Sequence, residues 1–213
     1  MQVLVVGASG RVGKALIQEL EQAGHQVIGT RNSTINGDTN NLVALDLVHA
    51  SVDEIAEKIQ KMATFAAVYF VAGSRGKALL EVDLNGAVKL MIAMEQLGIK
   101  RYIQLSSYKA DHQSEWPGGY ESGLTPYNIA KFYADQWLQT RTSLAYTILQ
   151  PGSLTEHDEI TGVSLNDDQP GENTIPTVAR VLAEVINYPT TIGKTIVMRG
   201  GDEDIKNALQ TLH

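Results

Sequence analysis

Tyr127 and Lys131 stand four residues apart in the stretch Thr125 to Gln139, which has helical character. On a helix that spacing sets the ammonium one turn from the phenol, on a single face. A neighbouring positive charge favours phenolate over phenol and moves a tyrosine down from about 10, toward the range of a general acid or base. A packed tyrosine beside a solvated lysine has the same spacing, so the pair takes its meaning from what surrounds it. A second set lies near the start of the chain, where Val3-Leu4-Val5-Val6 runs into Gly7-Ala8-Ser9-Gly10-Arg11-Val12-Gly13. Glycines at this spacing allow a tight turn in which main-chain N–H groups approach a pyrophosphate. A helix that starts there adds its partial positive charge. A third candidate is Arg31, in Thr30-Arg31-Asn32, where an acid would contact ribose hydroxyls and a base can meet a 2′-phosphate. Arg11 can point its fork of donors at the same phosphate. The preferred ligand is therefore NADP, with NAD possible.

The elements that must position these residues follow from periodicity. Val3 to Val6 is a short β-branched run bounded by glycine, as in a buried parallel strand. Leu16, Leu20 and Ala23 share one face of a following helix that Gly24 ends. Residues 25–31 form the next strand and complete a right-handed βαβ unit. Residues 33–41 are polar and read as loop, and Leu42 to Leu45 makes a short strand closed by Asp46-Leu47. Ser51 and Glu54 form a near capping box for a helix to about Met62. Strand 65–72 exits through Gly73-Ser74, small enough to leave room for a ribose, although a plain turn looks the same. A long helical stripe from Lys77 to Leu97 includes Leu80, Leu84, Val88, Met91 and Met94, the methionines reading as core filler.

Strand 100–105 ends at Ser106-Ser107, and the polar stretch Lys109 to Thr125 reads as an active-site loop containing a solvated His112. Thr125 as N-cap and Pro126 at the first helical position then start the helix of Tyr127 and Lys131. Strand 145–150 ends at Pro151-Gly152, and Thr155 to Asn173 is polar loop. Glu156, His157, Asp158 and Glu159 are consecutive, so their side chains diverge and no metal site is expected. Pro176 opens another helix, residues 194–198 give a seventh strand, and Asp202 caps a terminal helix. The fold class is α/β: a Rossmann-type doubly wound parallel sheet of about seven strands with helices on both faces. One domain covers 1–213, with a small substrate-side region from 153 to 213.

The balance of 24 acidic against 17 basic residues, net charge −7, argues against nucleic acid as a partner. With no cysteine there is no disulfide, thiolate metal site or thiol nucleophile. No signal-peptide pattern and no apolar run near the roughly 20 residues of a membrane span appear, so a cytoplasmic protein is expected. The oligomeric state is not legible.

Gly7, Gly10 and Gly13, Ser106-Ser107, Tyr127-Asn-Ile-Ala-Lys131 and Pro151-Gly152, in this order, resemble the extended and atypical short-chain dehydrogenase/reductases. The pattern is most similar to the small single-domain members of the biliverdin-reductase-B-like or NmrA-like kind. The resemblance implies that Gly7, Ser9, Gly10, Arg11, Val12 and Gly13 wrap the pyrophosphate and that Asp46-Leu47 lies against the adenine. It implies that Ala72-Gly73 backs the ribose and that Pro151-Gly152 packs beside the nicotinamide. Ser107 matches the serine that orients substrate, Tyr127 the catalytic acid/base, and Lys131 the residue that holds the nicotinamide ribose. The expected activity is hydride transfer from NADPH to a small carbonyl, quinone or flavin-like acceptor. The alternatives are a non-catalytic NADP-binding sensor and an epimerase or dehydratase with retained NAD. The short chain after Pro151, and Thr177 where small members often carry an acid, set this sequence apart from the sugar-nucleotide enzymes and from the common small-member pattern.

Overall fold

The computed structural model describes residues 1–32, 42–116 and 123–212. The expected loop 33–41 and the 117–122 part of the expected active-site loop lie outside the described residues. In chain order the elements are β1 (Gln2–Val6), α1 (Arg11–Gln22), β2 (Gln26–Arg31), β3 (Val43–Ala44), α2 (Val52–Met62), β4 (Ala67–Phe70), α3 (Asn85–Gln96) and β5 (Arg101–Leu105). They continue as α4 (Thr125–Arg141), β6 (Ala145–Pro151), β7 (Ser153–Thr155), β8 (Gly162–Leu165), β9 (Glu172–Thr174), α5 (Ile175–Glu184), β10 (Lys194–Gly201) and α6 (Ile205–Gln210).

The main sheet has eight strands in the order β3-β2-β1-β4-β5-β6-β10-β8. Neighbours pair in parallel except β8, which runs antiparallel to β10 with Val163 opposite Gly200 and Leu165 opposite Met198. Starting from β1, the chain builds outward through β2 and β3, then returns to β4 and builds the other way. That reversal opens a crevice at the carboxyl ends of β1 and β4, where open α/β sheets take ligands. The side chains of β1 alternate between two cores. Val3 and Val5 pack with Leu16 and Leu20 of α1 and Val178 and Leu182 of α5. Leu4 and Val6 pack with Ile55 and Ile59 of α2, Met91 and Met94 of α3, and Leu138 of α4.

Several expectations need correction. The sheet has an eighth, antiparallel edge strand, and the polar stretch expected to be loop contains β8 and β9. Four residues among polar neighbours are too few for alternation to show, and β8 is held through its backbone ladder to β10. β7 and β9 form a separate two-stranded ribbon. The stripe from Lys77 is not one α-helix: Leu79–Leu84 is a π-helical turn, and α3 follows it. The wider turn puts Leu80 outside, 63% exposed, and brings Asp83 inside. The cap of α4 is Leu124 rather than Thr125, which is itself the first helical residue. Asp204, not Asp202, caps α6, accepting Lys206 N and Asn207 N at 3.0 and 3.2 Å. A bridge between Val163 and Glu203 keeps the chain extended past Asp202 and so shifts the cap. The capping box of Ser51 and Glu54 forms as expected.

Candidate functional site

At Gly7 the backbone turns through φ +96°, and a Cβ added there would lie 2.4 Å from Ala72 N. Only glycine fits, because its absent side chain lets the exit of β1 lie against the exit of β4. Gly10 N donates to Gly7 O at 3.0 Å. Gly10 is also the N-cap of α1, with no side-chain cap bond, which leaves first-turn N–H groups for a ligand. Gly13 has another task. A Cβ there would stand 2.3 Å from Gly7 O and 2.8 Å from Ala8 Cα, so Gly13 seats the helix against the turn and is not part of the cavity wall.

A cavity of about 750 Å³ runs from this corner across the carboxyl edge of the sheet. Of the expected site residues, Gly7, Ser9, Gly10, Arg11, Val12, Arg31, Leu47, Ala72, Gly73, Tyr127 and Lys131 line it. Among the described lining residues Arg11, Arg31, Arg75, Lys77 and Lys131 are cationic and Asp83 alone is acidic. In a chain of net charge −7, that local reversal suits an anionic occupant. Arg11 is ion-paired with Glu156, and both side chains are exposed. A pair in water is weak and readily exchanged for a phosphate. Arg31 Nη1 donates to Asn32 O at 3.0 Å.

Asp46, Ser107 and Pro151 are not brought to the wall. Asp46 Oδ1 accepts Val48 N at 2.9 Å and His49 N at 3.0 Å, shaping the turn that presents Leu47 and Val48 to the cavity. The hydrogen bond from the His49 backbone, with further help from the His49 side chain and Val48, holds this carboxyl below its usual range. Ser107 Oγ approaches Asn128 Oδ1 at 3.4 Å. Pro151 is buried, and its carbonyl accepts Tyr108 N at 3.0 Å.

At the far end, Lys131 Nζ lies 5.6 Å from the Tyr127 ring centroid, so the two side chains meet as their spacing predicts. Lys131 is buried, donates to Leu105 O at 3.2 Å and stands 3.9 Å from Asp83 Oδ1. The π-helical turn aims Asp83 here, and Ser74 N fixes it by donating to Oδ2 at 3.0 Å. Asp83 Oδ1 is buried with no hydrogen-bond partner among the described residues. Sequence reasoning passed over Asp83, although a carboxylate within an apolar stripe is the signal that marks it. The two polar stretches expected to frame a substrate meet nearby. Lys109 pairs with Glu115 and, at 3.3 Å, with Asp168, while Tyr108 Oη donates to Asp168 O at 3.1 Å. His112 sits with Asp111, ring nitrogen to carboxylate 3.0 Å, away from the cavity wall.

Comparison with known proteins agrees with this geometry. Residues 7–189 match the NAD(P)H-binding family. The UPF0659 protein YMR090W of Saccharomyces cerevisiae is 35% identical, across all of this chain and 99% of that protein. YhfK of Bacillus subtilis, which carries the name of an uncharacterized sugar epimerase, is 30% identical over the full length of both chains. The crystal structure of the oxidoreductase ylbE from Lactococcus lactis superposes with a TM-score of 0.90 at 38% identity, covering 100% of this chain and 96% of that one. With a glycine corner that admits no side chain, an uncapped helix start and a cation-lined cavity, the chain belongs to the NAD(P)H-binding family, and its Rossmann-type sheet is a binding domain for NAD(P).

Proposed function

We propose that the protein is an NADPH-dependent oxidoreductase of the atypical short-chain dehydrogenase/reductase kind, acting on a small carbonyl, quinone or flavin-like acceptor. The observation that carries this reading is the meeting of Tyr127 and Lys131 on the wall of the cavity that begins at the Gly7–Gly10 turn. A bound dinucleotide supplies the hydride. The chain supplies the rest: Tyr127 Oη donates the proton to the reduced oxygen, and the Lys131 ammonium stabilises the phenolate left behind. The turn and the α1 N-terminus hold the pyrophosphate, Arg31 with Arg11 holds the 2′-phosphate, and Ala72-Gly73 with Leu47 backs the ribose and adenine. Ser107 and Pro151 act from behind the wall in this reading, through Asn128 and through the packing of β6. The region from 153 to 213, tied to the loop after β5 by Lys109 and Asp168, forms the substrate side of a single domain.

Purified protein is incubated with NADPH and a panel of quinones, aldehydes and flavins, and oxidation is followed at the nicotinamide absorbance. Turnover that falls at least a hundredfold in Tyr127→Phe supports the assignment. Oxidation at the wild-type rate in that variant removes Tyr127 from the chemistry. The name of the Bacillus subtilis relative favours a second reading, epimerisation of a sugar derivative with no net redox change. That reading requires dinucleotide to stay bound through purification at one per chain and to be regenerated each cycle. Protein that purifies empty argues against it.

A further inference from the structure

Asp135 lies one helical turn beyond Lys131 on α4, so Tyr127, Lys131 and Asp135 form a column along one helix face. The Asp135 residue is 0% exposed. Its carboxylate accepts hydrogen bonds from Gln104 Nε2 at 2.6 Å, Ser106 Oγ at 2.5 Å and Gln150 Nε2 at 3.2 Å. Gln104 and Ser106 flank Leu105, and it is the Leu105 carbonyl that accepts Lys131 Nζ at 3.2 Å. One carboxylate therefore grips both neighbours of the residue that seats the lysine. Gln150 Nε2 also donates to Asp111 Oδ1 at 3.1 Å, linking the buried group to the partly exposed Asp111–His112 pair.

A fully buried carboxylate is costly, and an uncharged side chain of the same shape would hold the strands together at lower cost. The polar cluster is not built for neutrality: Gln104 Oε1 and Gln150 Oε1 are both buried without hydrogen-bond partners among the described residues. The charge itself therefore has a use, and the nearest buried ammonium on the same helix is Lys131. We propose that ionised Asp135 is a positioning residue, fixing the Leu105 carbonyl through Gln104 and Ser106 and so holding the Lys131 ammonium beside Tyr127. The proposal rests on the catalytic reading of Tyr127 and Lys131.

The groups that bear on Asp135 are Lys131 on its own helix, Tyr102 on β5, and Asp111, which reaches it through Gln150 from the loop after β5. Asp83 shares Lys131 from the π-helical turn. Burial pushes the Asp135 carboxyl up to about 6, against the pull of Ser106, Gln104, Lys131 and Gln150. A proton taken up there removes the charge and weakens the three hydrogen bonds, so Lys131 loses its seat as the pH falls.

Asp135→Asn removes the charge and keeps the shape. Turning the Gln104 amide offers its unused Oε1 to the new Nδ2, so the variant is expected to fold. The full chain, labelled with 15N-lysine and saturated with NADP, is followed by NMR, and the Lys131 Nζ signal is assigned by its loss in Lys131→Arg. In wild type this signal should be protected from solvent exchange and shift with a midpoint near pH 6. In Asp135→Asn the shift should vanish and protection should fall at least tenfold. Ser106→Ala removes one hold on Leu105 and keeps the charge; protection should drop about threefold, and this variant carries the test if Asp135→Asn fails to fold. Either variant with a wild-type Lys131 signal overturns the inference. Steady-state oxidation of NADPH by menadione is the second measurement. Asp135→Asn should lower kcat at least tenfold and lose the acidic fall in kcat, with KM for NADPH within twofold, and an unchanged kcat and pH profile also overturns the inference. If Tyr127→Phe oxidises NADPH as fast as wild type, the catalytic reading fails, while the NMR result still decides whether Asp135 positions Lys131.

Discussion

The two ends of the cavity are built by different means. At the β1 exit the contacts are between backbones: Gly7 against Ala72, Gly10 N to Gly7 O, Gly13 against Ala8. Among the described residues no charged residue is buried there, and the cations on its wall, Arg11 and Arg31, are not buried. At the Tyr127 end the contacts are between side chains, and three charged groups, Lys131, Asp83 and Asp135, are withdrawn from water. A backbone site is fixed by sterics and tolerates almost no added atom. A site of buried charges is fixed by electrostatics, so it tolerates changes of shape better than changes of charge or pH. Substitutions should therefore fail in different ways at the two ends.

The largest effect is expected at the glycine corner. Gly7→Val adds a branched side chain where even a Cβ would meet Ala72 N at 2.4 Å, in a backbone conformation with φ +96°. The exits of β1 and β4 must separate, and calorimetry should detect no NADP or NAD binding, with unfolding several degrees earlier. Gly13→Ala should do nearly the same by lifting α1 off the turn, although Gly13 does not line the cavity. Retained micromolar binding in either variant would show that the corner gives way more easily than its contacts imply. Tyr127→Phe should show the opposite pattern: kcat down by about 10²–10⁴, the range for a general acid, with dinucleotide affinity and thermal stability near wild type.

The same contrast explains what could be read in the sequence. The corner was legible because its requirement is local: three glycines between an apolar run and an amphipathic helix state the turn, the strand and the helix at once. Tyr127 and Lys131 were legible because a spacing of four suffices to place them. Asp83 shows in the sequence only as a carboxylate inside an apolar stripe, and the π-helical turn that aims it inward is invisible to a 3.6-residue periodicity. Asp135 is hidden in the sequence for another reason. Its partners Gln104, Ser106 and Gln150 come from β5 and β6, and only the pairing of those strands brings them together. The positions of Ser107 and Pro151 behind the wall likewise depend on tertiary packing, whereas Asp46 is held in a local turn by Val48 N and His49 N. The edge strand β8 escaped because four residues carry too little pattern.

Asp135 also makes a prediction about stability. Its carboxyl is pushed from its ordinary value of 3.8 to about 6 by burial, so the unfolded chain ionises it before the folded one does. The folded state then binds the extra proton between those two values, and its stability falls as the pH rises through that window. At about 1.4 kcal/mol per tenfold change in proton affinity, the loss is about 3 kcal/mol. Asp135→Asn does not ionise, so its stability relative to wild type should rise by about this amount between pH 4 and pH 8. Urea unfolding at both pH values measures it, and a difference that stays constant would place the titration elsewhere. A more stable but slower variant is what a charge kept for function produces.

The smallest effect belongs to the exposed rim, and it separates the two dinucleotides. Arg31 lies at the end of β2, on the cavity wall with Thr30 and Asn32, and no carboxylate is present in Thr30-Arg31-Asn32. A guanidinium there can donate to a 2′-phosphate, a charged hydrogen bond contributing about 1.5–3 kcal/mol, whereas the 2′-hydroxyl of NAD offers no such charge. Arg31→Ala should therefore weaken NADP roughly tenfold or more and leave NAD within about twofold, as read by paired titration calorimetry. Raising the salt should shrink the wild-type preference, because the contact is exposed to screening. An equal loss for both dinucleotides would show that Arg31 supports the turn itself, and the 2′-phosphate would then have to be read by Arg11, once it has let go of Glu156.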